Sequence, residues 1–190
     1  MKIVICLMGY QGSGIYKIEQ YLIEAYGVKR FRGYTTRRRK FLEDTSEYNF
    51  VEVFEMIELE KNSDLIGLRK YNNNLYVKRV SEIPKGISVC AIDYNGYLEL
   101  SKKVKTIPIF LDRKSKYRYK YVKSIMPVNP TDFLERDYYD DLQFSRMKDD
   151  SNVLKLRYEG NVTTKLKIDN IMFPLLKYIK QQDKTIKLEE

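Results

Sequence analysis

Short apolar runs alternate with helical patterns along most of this chain, and that alternation constrains the fold more than any other feature. The run Lys2–Met8 is almost entirely apolar, which is typical of a strand that is buried on both faces of a sheet. A glycine-rich turn follows, and residues 15–26 then place apolar side chains at helical spacing until Gly27 ends the predicted helix. Strands that alternate with helices predict βαβ units, and therefore an α/β fold with a parallel sheet.

The second half of the sequence repeats the alternation, whereas residues 31–83 interrupt it. The further predicted elements are strands Ile87–Ile92, Thr106–Leu111 and Val153–Tyr158, and helices Tyr97–Lys103, Lys114–Lys123, Asp132–Met147 and Thr164–Lys180. Within residues 31–83, strand patterns at 48–53 and 65–77 flank a predicted helix at 53–61, so this region predicts an inserted lobe with its own small sheet. We predict one domain over residues 1–190, with its core in 1–30 and 84–185.

The absence of histidine excludes several classes of chemistry. The 190 residues include 35 Lys and Arg against 26 Asp and Glu, which gives a formal net charge of +9. Without histidine there are no Ser–His or Cys–His nucleophile pairs, and two cysteines, Cys6 and Cys90, are too few for a zinc cluster, so no metal site is predicted. No apolar run reaches about 18 residues, so we expect a cytoplasmic protein without a membrane span. The positive charge favours nucleotides, other phosphorylated or acidic ligands, or nucleic acid as partners.

The glycine-rich turn has the spacing of a phosphate-binding loop, in which backbone N–H groups surround an anion at a helix N-terminus. Its residues are Gly9, Gly12, Ser13 and Gly14. The P-loop pattern G-x-x-x-x-G-K-[ST] fits the first and last of these glycines, but Ile15 and Tyr16 stand where Lys and Ser or Thr are expected. Lys17 lies two positions later, about 200° around the helix from the expected Lys. The alternative is an ordinary glycine-rich turn without a ligand.

A basic segment downstream carries a second phosphate-binding pattern. It reads Thr35-Thr36-Arg37-Arg38-Arg39-Lys40-Phe41-Leu42-Glu43 and continues to Glu47-Tyr48-Asn49-Phe50. This segment resembles the monophosphate site of guanylate kinases, whose pattern is T-T-R-x-x-R-x-G-E followed by D-Y-x-F. The resemblance implies that Arg37, Lys40, Glu43 and Tyr48 form a monophosphate site, to which Arg37 offers a planar guanidinium and Tyr48 a hydroxyl. The alternative is a solvated basic loop or a nucleic-acid-binding patch.

The resemblance to guanylate kinases extends over about residues 1–160. Asn74-Leu75-Tyr76 is similar to the family's N-Y-Y, which implies a phosphate ligand at Tyr76. Gly67 and Lys78 stand where the family has the Glu and the Ser or Thr that read guanine. Ala91-Ile92-Asp93 looks like the family's D-[IV]-D, and Asp93 is either a helix N-cap or a residue that holds Mg²⁺ or orients the acceptor phosphate.

A lid is predicted at about residues 113–136. Arg118 and Arg136 are its candidates for arginines that grip phosphates, by the same resemblance. The segment from Arg113 to Lys123 also interleaves basic residues with tyrosines, a pattern that can stack the bases of single-stranded nucleic acid.

The resemblance implies an α/β fold of the P-loop nucleoside-monophosphate-kinase type, with a parallel sheet flanked by helices and an inserted monophosphate-binding lobe. It also implies ATP-dependent phosphorylation of GMP or dGMP, with ATP and Mg²⁺ as cofactors and Asp93, Lys17 and Arg136 as catalytic candidates. Because the P-loop Lys and hydroxyl are replaced, we expect a protein that binds GMP or another phosphate ligand and has weak or no phosphorylation activity. The alternatives are an active kinase with a non-standard P-loop and a basic nucleic-acid-binding protein.

Overall fold

The computed structural model describes residues 1–39, 47–61, 64–125, 127–159 and 165–182, with side chains in the last segment at 173–181. In chain order its elements are β1 (Lys2–Gly9), α1 (Ile15–Tyr26), β2 (Lys29–Arg30), β3 (Gly33–Thr35), β4 (Tyr48–Phe50), α2 (Val53–Glu60), β5 (Leu65–Tyr71), β6 (Asn74–Arg79), β7 (Gly86–Ala91), α3 (Tyr94–Ser101), β8 (Lys105–Arg113), α4 (Ser115–Ile125), α5 (Pro130–Phe144), β9 (Leu154–Tyr158) and α6 (Lys165–Gln182). Short 3₁₀ turns follow β6 and α5. The predicted alternation of strands and helices is confirmed.

The central sheet has five strands in the order β2-β7-β1-β8-β9, and every neighbouring pair is parallel. Because the strands are parallel, their carboxyl ends meet at one edge of the sheet. The loop that follows β1 and the residues that follow β7 and β8 therefore lie side by side there, which is where open α/β sheets bind their ligands.

Strand β1 occupies the middle of the sheet and is buried along its length. Ile3, Ile5 and Leu7 point into a core shared with α1 and α6, while the alternate residues of β1 point into a second core that contains Phe31 and Phe144. A strand that is apolar on both faces must be covered on both faces, which is why its sequence reads as a continuous apolar run. None of the described helices combines the length and apolarity that a membrane span requires.

The inserted region forms a second sheet of four strands in the order β4-β3-β6-β5. A tight turn joins β5 to β6, and its residues Asn72 and Asn73 have φ angles of 45° and 58°. Asparagine tolerates this left-handed conformation, which explains why the run of asparagines marks the turn. Ile66 of β5 is 1% exposed and packs in the core between the two sheets, so the inserted sheet shares that core with the central sheet.

The structure corrects several predicted boundaries. The strand pattern at 65–77 corresponds to two strands separated by a turn at the asparagine run, which the sequence marks as a turn signal, and the predicted strand at 48–53 ends at Phe50. The helix expected from Tyr97 begins at Tyr94, because the Asp93 side chain caps it. The helix expected from Asp132 begins at Pro130 behind an Asn129 cap and ends at Phe144, before a 3₁₀ turn over Arg146–Asp149.

Candidate functional site

A crevice of about 530 Å³ lies between the carboxyl edge of the central sheet and the inserted sheet. Loop residues 9–14 line one side, and Arg37, Tyr48 and Tyr76 line the opposite side. Asp93, which follows β7, also lines the crevice. The volume falls within the range of about 300–1,000 Å³ that is usual for small-molecule sites.

The backbone of the glycine-rich loop has the form of an anion cradle. Gly12 and Gly14 have φ angles of 79° and 88°, and a side chain at Gly12 would come within 2.8 Å of the Arg118 carbonyl oxygen. Helix α1 begins directly after Gly14 without a side-chain cap. The Ser13 hydroxyl is buried in the loop and makes no hydrogen bond to the described residues. Together these features leave polar groups at the N-terminus of α1 available to an anion.

Two buried arginines hold the carbonyl groups of this loop from behind. Arg113 donates from Nη1 to the Gly12 oxygen at 2.9 Å, and Arg118 donates from Nη1 to the Gln11 oxygen at 3.3 Å. Both side chains are nearly inaccessible, and burial lowers the pKa of Arg113 below its ordinary value. The guanidinium of Arg118 also pairs with Asp137, to which its Nη2 donates at 2.6 Å. These contacts orient the loop and bring positive charge close to it.

A carboxylate from α5 lies on the crevice side of the same loop. Asp140 is 2% exposed, and its Oδ2 accepts a hydrogen bond of 2.9 Å from the backbone N–H of Gln11. Its Oδ1 lies 3.1 Å from Nε of Arg136. Burial raises the pKa of Asp140, and Arg136 opposes that shift. A loop amide of the kind that faces phosphate in a P-loop is therefore bound to a protein carboxylate.

The opposite wall presents hydroxyl and guanidinium groups. The rings of Tyr48 and Tyr76 meet edge to face with their centroids 5.8 Å apart. Neither phenol hydroxyl has a hydrogen-bond partner among the described residues, and burial raises the pKa of Tyr48, which keeps its hydroxyl protonated. Arg37 packs over the Phe50 ring at 5.4 Å. This wall can donate several hydrogen bonds to an oxyanion.

The predicted site residues are only partly brought together. Arg136 lines the crevice and stacks on the Tyr71 ring at 4.0 Å, whereas Arg118 is not among the lining residues. Lys17 is exposed on α1 and also lies outside the crevice lining. Lys40 and Glu43 lie outside the described residues.

Asp93 has the geometry of the helix cap that the sequence allowed. Its Oδ1 accepts a hydrogen bond of 2.7 Å from the Gly96 N–H, and its Oδ2 lies 3.8 Å from Nη1 of Arg69. No group of three or more acidic, Cys or His side chains placed to hold a metal ion occurs among the described residues.

Comparison with solved structures identifies the fold. The chain is similar to guanylate kinase from Anaplasma phagocytophilum, with a TM-score of 0.66 and 17% identity over 97% of this chain and 88% of that one. It is also similar to shikimate kinase from Bacteroides thetaiotaomicron, with a TM-score of 0.52 and 12% identity over 95% of this chain and 99% of that one. This chain has a P-loop kinase-like fold. No family model and no curated sequence matches it.

Within this P-loop kinase-like fold, the residues present do not fit the usual binding of a nucleoside triphosphate with Mg²⁺. The two positions after Gly14 normally supply an ammonium to the phosphates and a hydroxyl to the metal. Here Ile15 packs against the core and Tyr16 is 45% exposed, so neither supplies the expected group. Ser13 has a hydroxyl, but it is buried against Gly9, where a Cβ would lie 2.5 Å from its Oγ.

Three residues that line the crevice carry no signal in the sequence motifs. Arg69 of β5 and Asp140 of α5 lie in segments whose patterns predict only their secondary structure. Glu19 of α1 is 2% exposed beside Arg30, with 3.5 Å between Oε2 and Nε. Burial raises the pKa of Glu19 to about 7 although Arg30 favours the charged form. A buried acid with a raised pKa beside a crevice is the kind of group that often has a functional role, and only the fold reveals it.

Proposed function

We propose that this protein binds a nucleoside monophosphate or a similar phosphomonoester in the crevice, and that it transfers phosphoryl groups from ATP weakly or not at all. The observation that carries the proposal is a contrast between the two walls. One wall presents Arg37 together with the hydroxyls of Tyr48 and Tyr76, which have no partner among the described residues, and the other binds its own loop amide with Asp140.

The inserted-sheet wall suits a monophosphate. A dianionic phosphate accepts charge-assisted hydrogen bonds from a guanidinium and from phenol hydroxyls. Tyr48 lies on β4 and Tyr76 on β6, and β3 between these strands leads to Arg37, so one small sheet carries all three of the proposed donors. The resemblance to guanylate kinases in this segment points to the same ligand class.

The loop wall disfavours the donor nucleotide. A triphosphate at the loop would either displace the Asp140 carboxylate from the Gln11 N–H or lie beside that negative charge, because the carboxylate and the phosphates accept hydrogen bonds from the same backbone amides. Ile15 and Tyr16 provide neither the cation nor the metal-binding hydroxyl that phosphoryl transfer uses for charge neutralisation. Loss of one such contact lowers rates by roughly 10²–10³-fold.

A second candidate, an active kinase with a non-standard P-loop, is favoured by one observation. Arg113 and Arg118 lie behind the loop and bring two positive charges close to it. Charge supplied from behind the loop can still favour an anion in front of it, because electrostatic attraction persists over several ångströms in a buried site.

The experiment that tests the proposal has two parts, binding and turnover. Titration calorimetry with GMP and dGMP is expected to show binding to the wild type and loss of it in Arg37→Ala. Arg38→Ala is the matched control, because Arg38 is the neighbouring exposed arginine and does not line the crevice. Binding that survives in Arg37→Ala would exclude this site.

Turnover is measured as ATP-dependent formation of GDP and dGDP by the same three proteins. We expect the same trace amounts of GDP and dGDP from all three proteins, because such amounts would come from a contaminating kinase. Turnover in the wild type and Arg38→Ala that disappears in Arg37→Ala would instead establish the second candidate, a working kinase with a substitute cation.

A further inference from the structure

Strand β5 contains a bulge that changes which of its side chains face the crevice. Ile66 pairs with Lys78 and Arg69 pairs with Tyr76, so three steps along β5 correspond to two steps along β6. Gly67 has a φ angle of 62°, a left-handed conformation that glycine adopts without strain and that is common in bulges. In a regular strand the side chains of residues 66 and 69 would point to opposite faces of the sheet. The extra residue therefore brings Arg69 to the face that carries Ile66.

Contacts with α3 hold this bulge in place. The Gly67 N–H donates to Oε2 of Glu99 at 2.7 Å. Gly67 also packs directly on Gly96 of α3, since a Cβ at Gly96 would lie 3.1 Å from the Gly67 Cα. Because the bulge is anchored in these two ways, the backbone that carries Arg69 is oriented toward the crevice before a ligand binds.

Arg69 lies beside the two phenols of the proposed phosphate wall. Its guanidinium is 5.2 Å from the centre of the Tyr76 ring, and like Tyr48 and Tyr76 it lines the crevice. Burial raises the pKa of Tyr48, and the positive charge of Arg69 opposes that shift, so the guanidinium lies within electrostatic reach of the Tyr48 oxygen. The Arg69 side chain is 33% exposed, which leaves it accessible to a ligand in the crevice.

The hydrogen-bond donors of Arg69 are unused, although an acid orients the side chain. Nη1 lies 3.8 Å from Oδ2 of Asp93, a distance at which the charges attract but no hydrogen bond forms. The other oxygen of Asp93 accepts a hydrogen bond from Gly96, so α3 fixes the carboxylate. Arg69 donates no hydrogen bond to the described residues. A guanidinium has five N–H donors in a planar fork, and these remain available to an oxyanion.

We infer that Arg69 is a further ligand of the bound phosphate, positioned by Asp93, and that with Arg37 it makes the crevice selective for dianionic phosphomonoesters over monoanionic esters of the same shape. A phosphomonoester carries close to two negative charges at pH 7, whereas a sulfate ester carries one. A second guanidinium therefore favours the phosphomonoester more, because charge-assisted hydrogen bonds strengthen with the charge of the acceptor. This inference rests on the proposed monophosphate site, and the resemblance to guanylate kinases assigns no role to Arg69.

Titration calorimetry with GMP and guanosine 5′-sulfate tests the inference, because these ligands share base, sugar and shape and differ by about one charge. The proteins are the wild type, Arg69→Met, Arg69→Lys and Lys70→Met, each checked for folding by circular dichroism. Lys70 is the matched control, since it is the next residue of β5, is exposed and does not line the crevice. For the wild type and the control we expect GMP to bind about tenfold more tightly than the sulfate ester.

Loss of the Arg69 guanidinium should weaken the two ligands unequally. Arg69→Met should bind GMP about tenfold more weakly than the wild type and guanosine 5′-sulfate about threefold more weakly, so its preference for GMP falls. Arg69→Lys keeps the charge but not the planar fork, so its preference should be intermediate. A purely structural role would weaken both ligands by the same factor and leave the preference unchanged. Arg69→Lys supplies the comparison if Arg69→Met does not fold or binds too weakly to measure.

The outcomes separate this inference from the proposed function. An unchanged GMP affinity in Arg69→Met, or equal weakening of both ligands, overturns the inference, while loss of GMP binding in Arg37→Ala would leave the proposed function standing. Equal binding of GMP and guanosine 5′-sulfate by the wild type also overturns the inference. If the wild type binds neither ligand, the proposed function itself fails.

Discussion

The Oδ2 atom of Asp140 lies 2.9 Å from the backbone nitrogen of Gln11, and this hydrogen bond joins α5 to the glycine-rich loop across 129 positions of sequence. It places a buried carboxylate against a backbone amide of the glycine-rich loop. The same carboxyl group holds Arg136 on its other oxygen, so one side chain occupies both a loop amide and a crevice arginine.

Replacement of Asp140 by asparagine should strengthen binding of ATP and of inorganic tripolyphosphate by about tenfold. The amide oxygen can still accept from Gln11, but the negative charge is gone and Arg136 becomes available to the ligand. Calorimetry on wild type and Asp140→Asn measures the change. Glu135→Gln, an exposed neutralisation on the same helix, is the control. Equal affinities in the wild type and Asp140→Asn would show that this carboxylate does not oppose anion binding.

The pKa of about 7 for Glu19 makes stability fall as pH rises. The folded state holds its proton to a higher pH than the unfolded state, in which a Glu has a pKa of about 4.3. The free energy of unfolding should therefore decrease by about 2 kcal/mol between pH 5 and pH 7.5 from this group. The absence of histidine leaves that pH window with few other titrating side chains.

Urea denaturation at the two pH values measures this dependence. Glu19→Gln should abolish most of it, while Glu24→Gln, on an exposed position of the same helix, should retain it. A mutant that loses as much stability as the wild type between these pH values would contradict the assignment to Glu19.

Removal of the Tyr48 hydroxyl should weaken monophosphate binding without loss of stability. Tyr48→Phe deletes one donor that has no partner among the described residues, so we expect about fivefold weaker binding and an unchanged melting temperature. Tyr34→Phe is the matched control, because the Tyr34 hydroxyl donates to Glu82 and does not line the crevice. Calorimetry and thermal denaturation check the two expectations. A lower melting temperature with unchanged affinity would assign the hydroxyl a structural role instead.

The two arginines near the carboxyl edges of β8 and β9 should differ sharply in their contribution to stability. Arg113→Ala removes a buried side chain and leaves the Gly12 carbonyl without this donor, so the free energy of unfolding should fall by about 2–4 kcal/mol. Arg157 forms an exposed pair with Asp112 at 2.7 Å, so Arg157→Ala should cost less than about 1 kcal/mol. Urea denaturation of both variants measures the two changes in the free energy of unfolding. Equal decreases in Arg113→Ala and Arg157→Ala would show that burial does not determine how much an arginine contributes to stability here.

The elements set by local patterns could be predicted from the sequence. Helix α1 runs from Ile15 to Tyr26 as predicted, because glycines with left-handed φ angles precede and follow it. The parallel sheet could also be predicted, because each apolar strand and each amphipathic helix is recognisable from its own short stretch of sequence, and their alternation implies βαβ units. Strand β2 was missed because two residues are too short for a pattern, and it is defined only by its pairing with β7.

The candidate site could be predicted only where its residues follow one another in the chain. The glycine loop and the segment around Arg37 are local motifs, and the structure places both at one crevice. The contact of Asp140 with Gln11 joins distant segments, and no local pattern distinguishes Asp140 from its acidic neighbour Asp141. The burial of Arg113 depends on how α4 and β9 pack, which spacing alone does not reveal.

The hydrogen bond from Gly67 to Glu99 has a consequence for kinetics. Together with the close backbone approach of Gly67 to Gly96, it joins the inserted sheet to α3. The inserted sheet cannot rotate away from the core without breaking that bond. A ligand exchange that requires this opening would then break a contact far from the proposed phosphate wall, so a change at Glu99 would alter the rate of exchange more than the affinity.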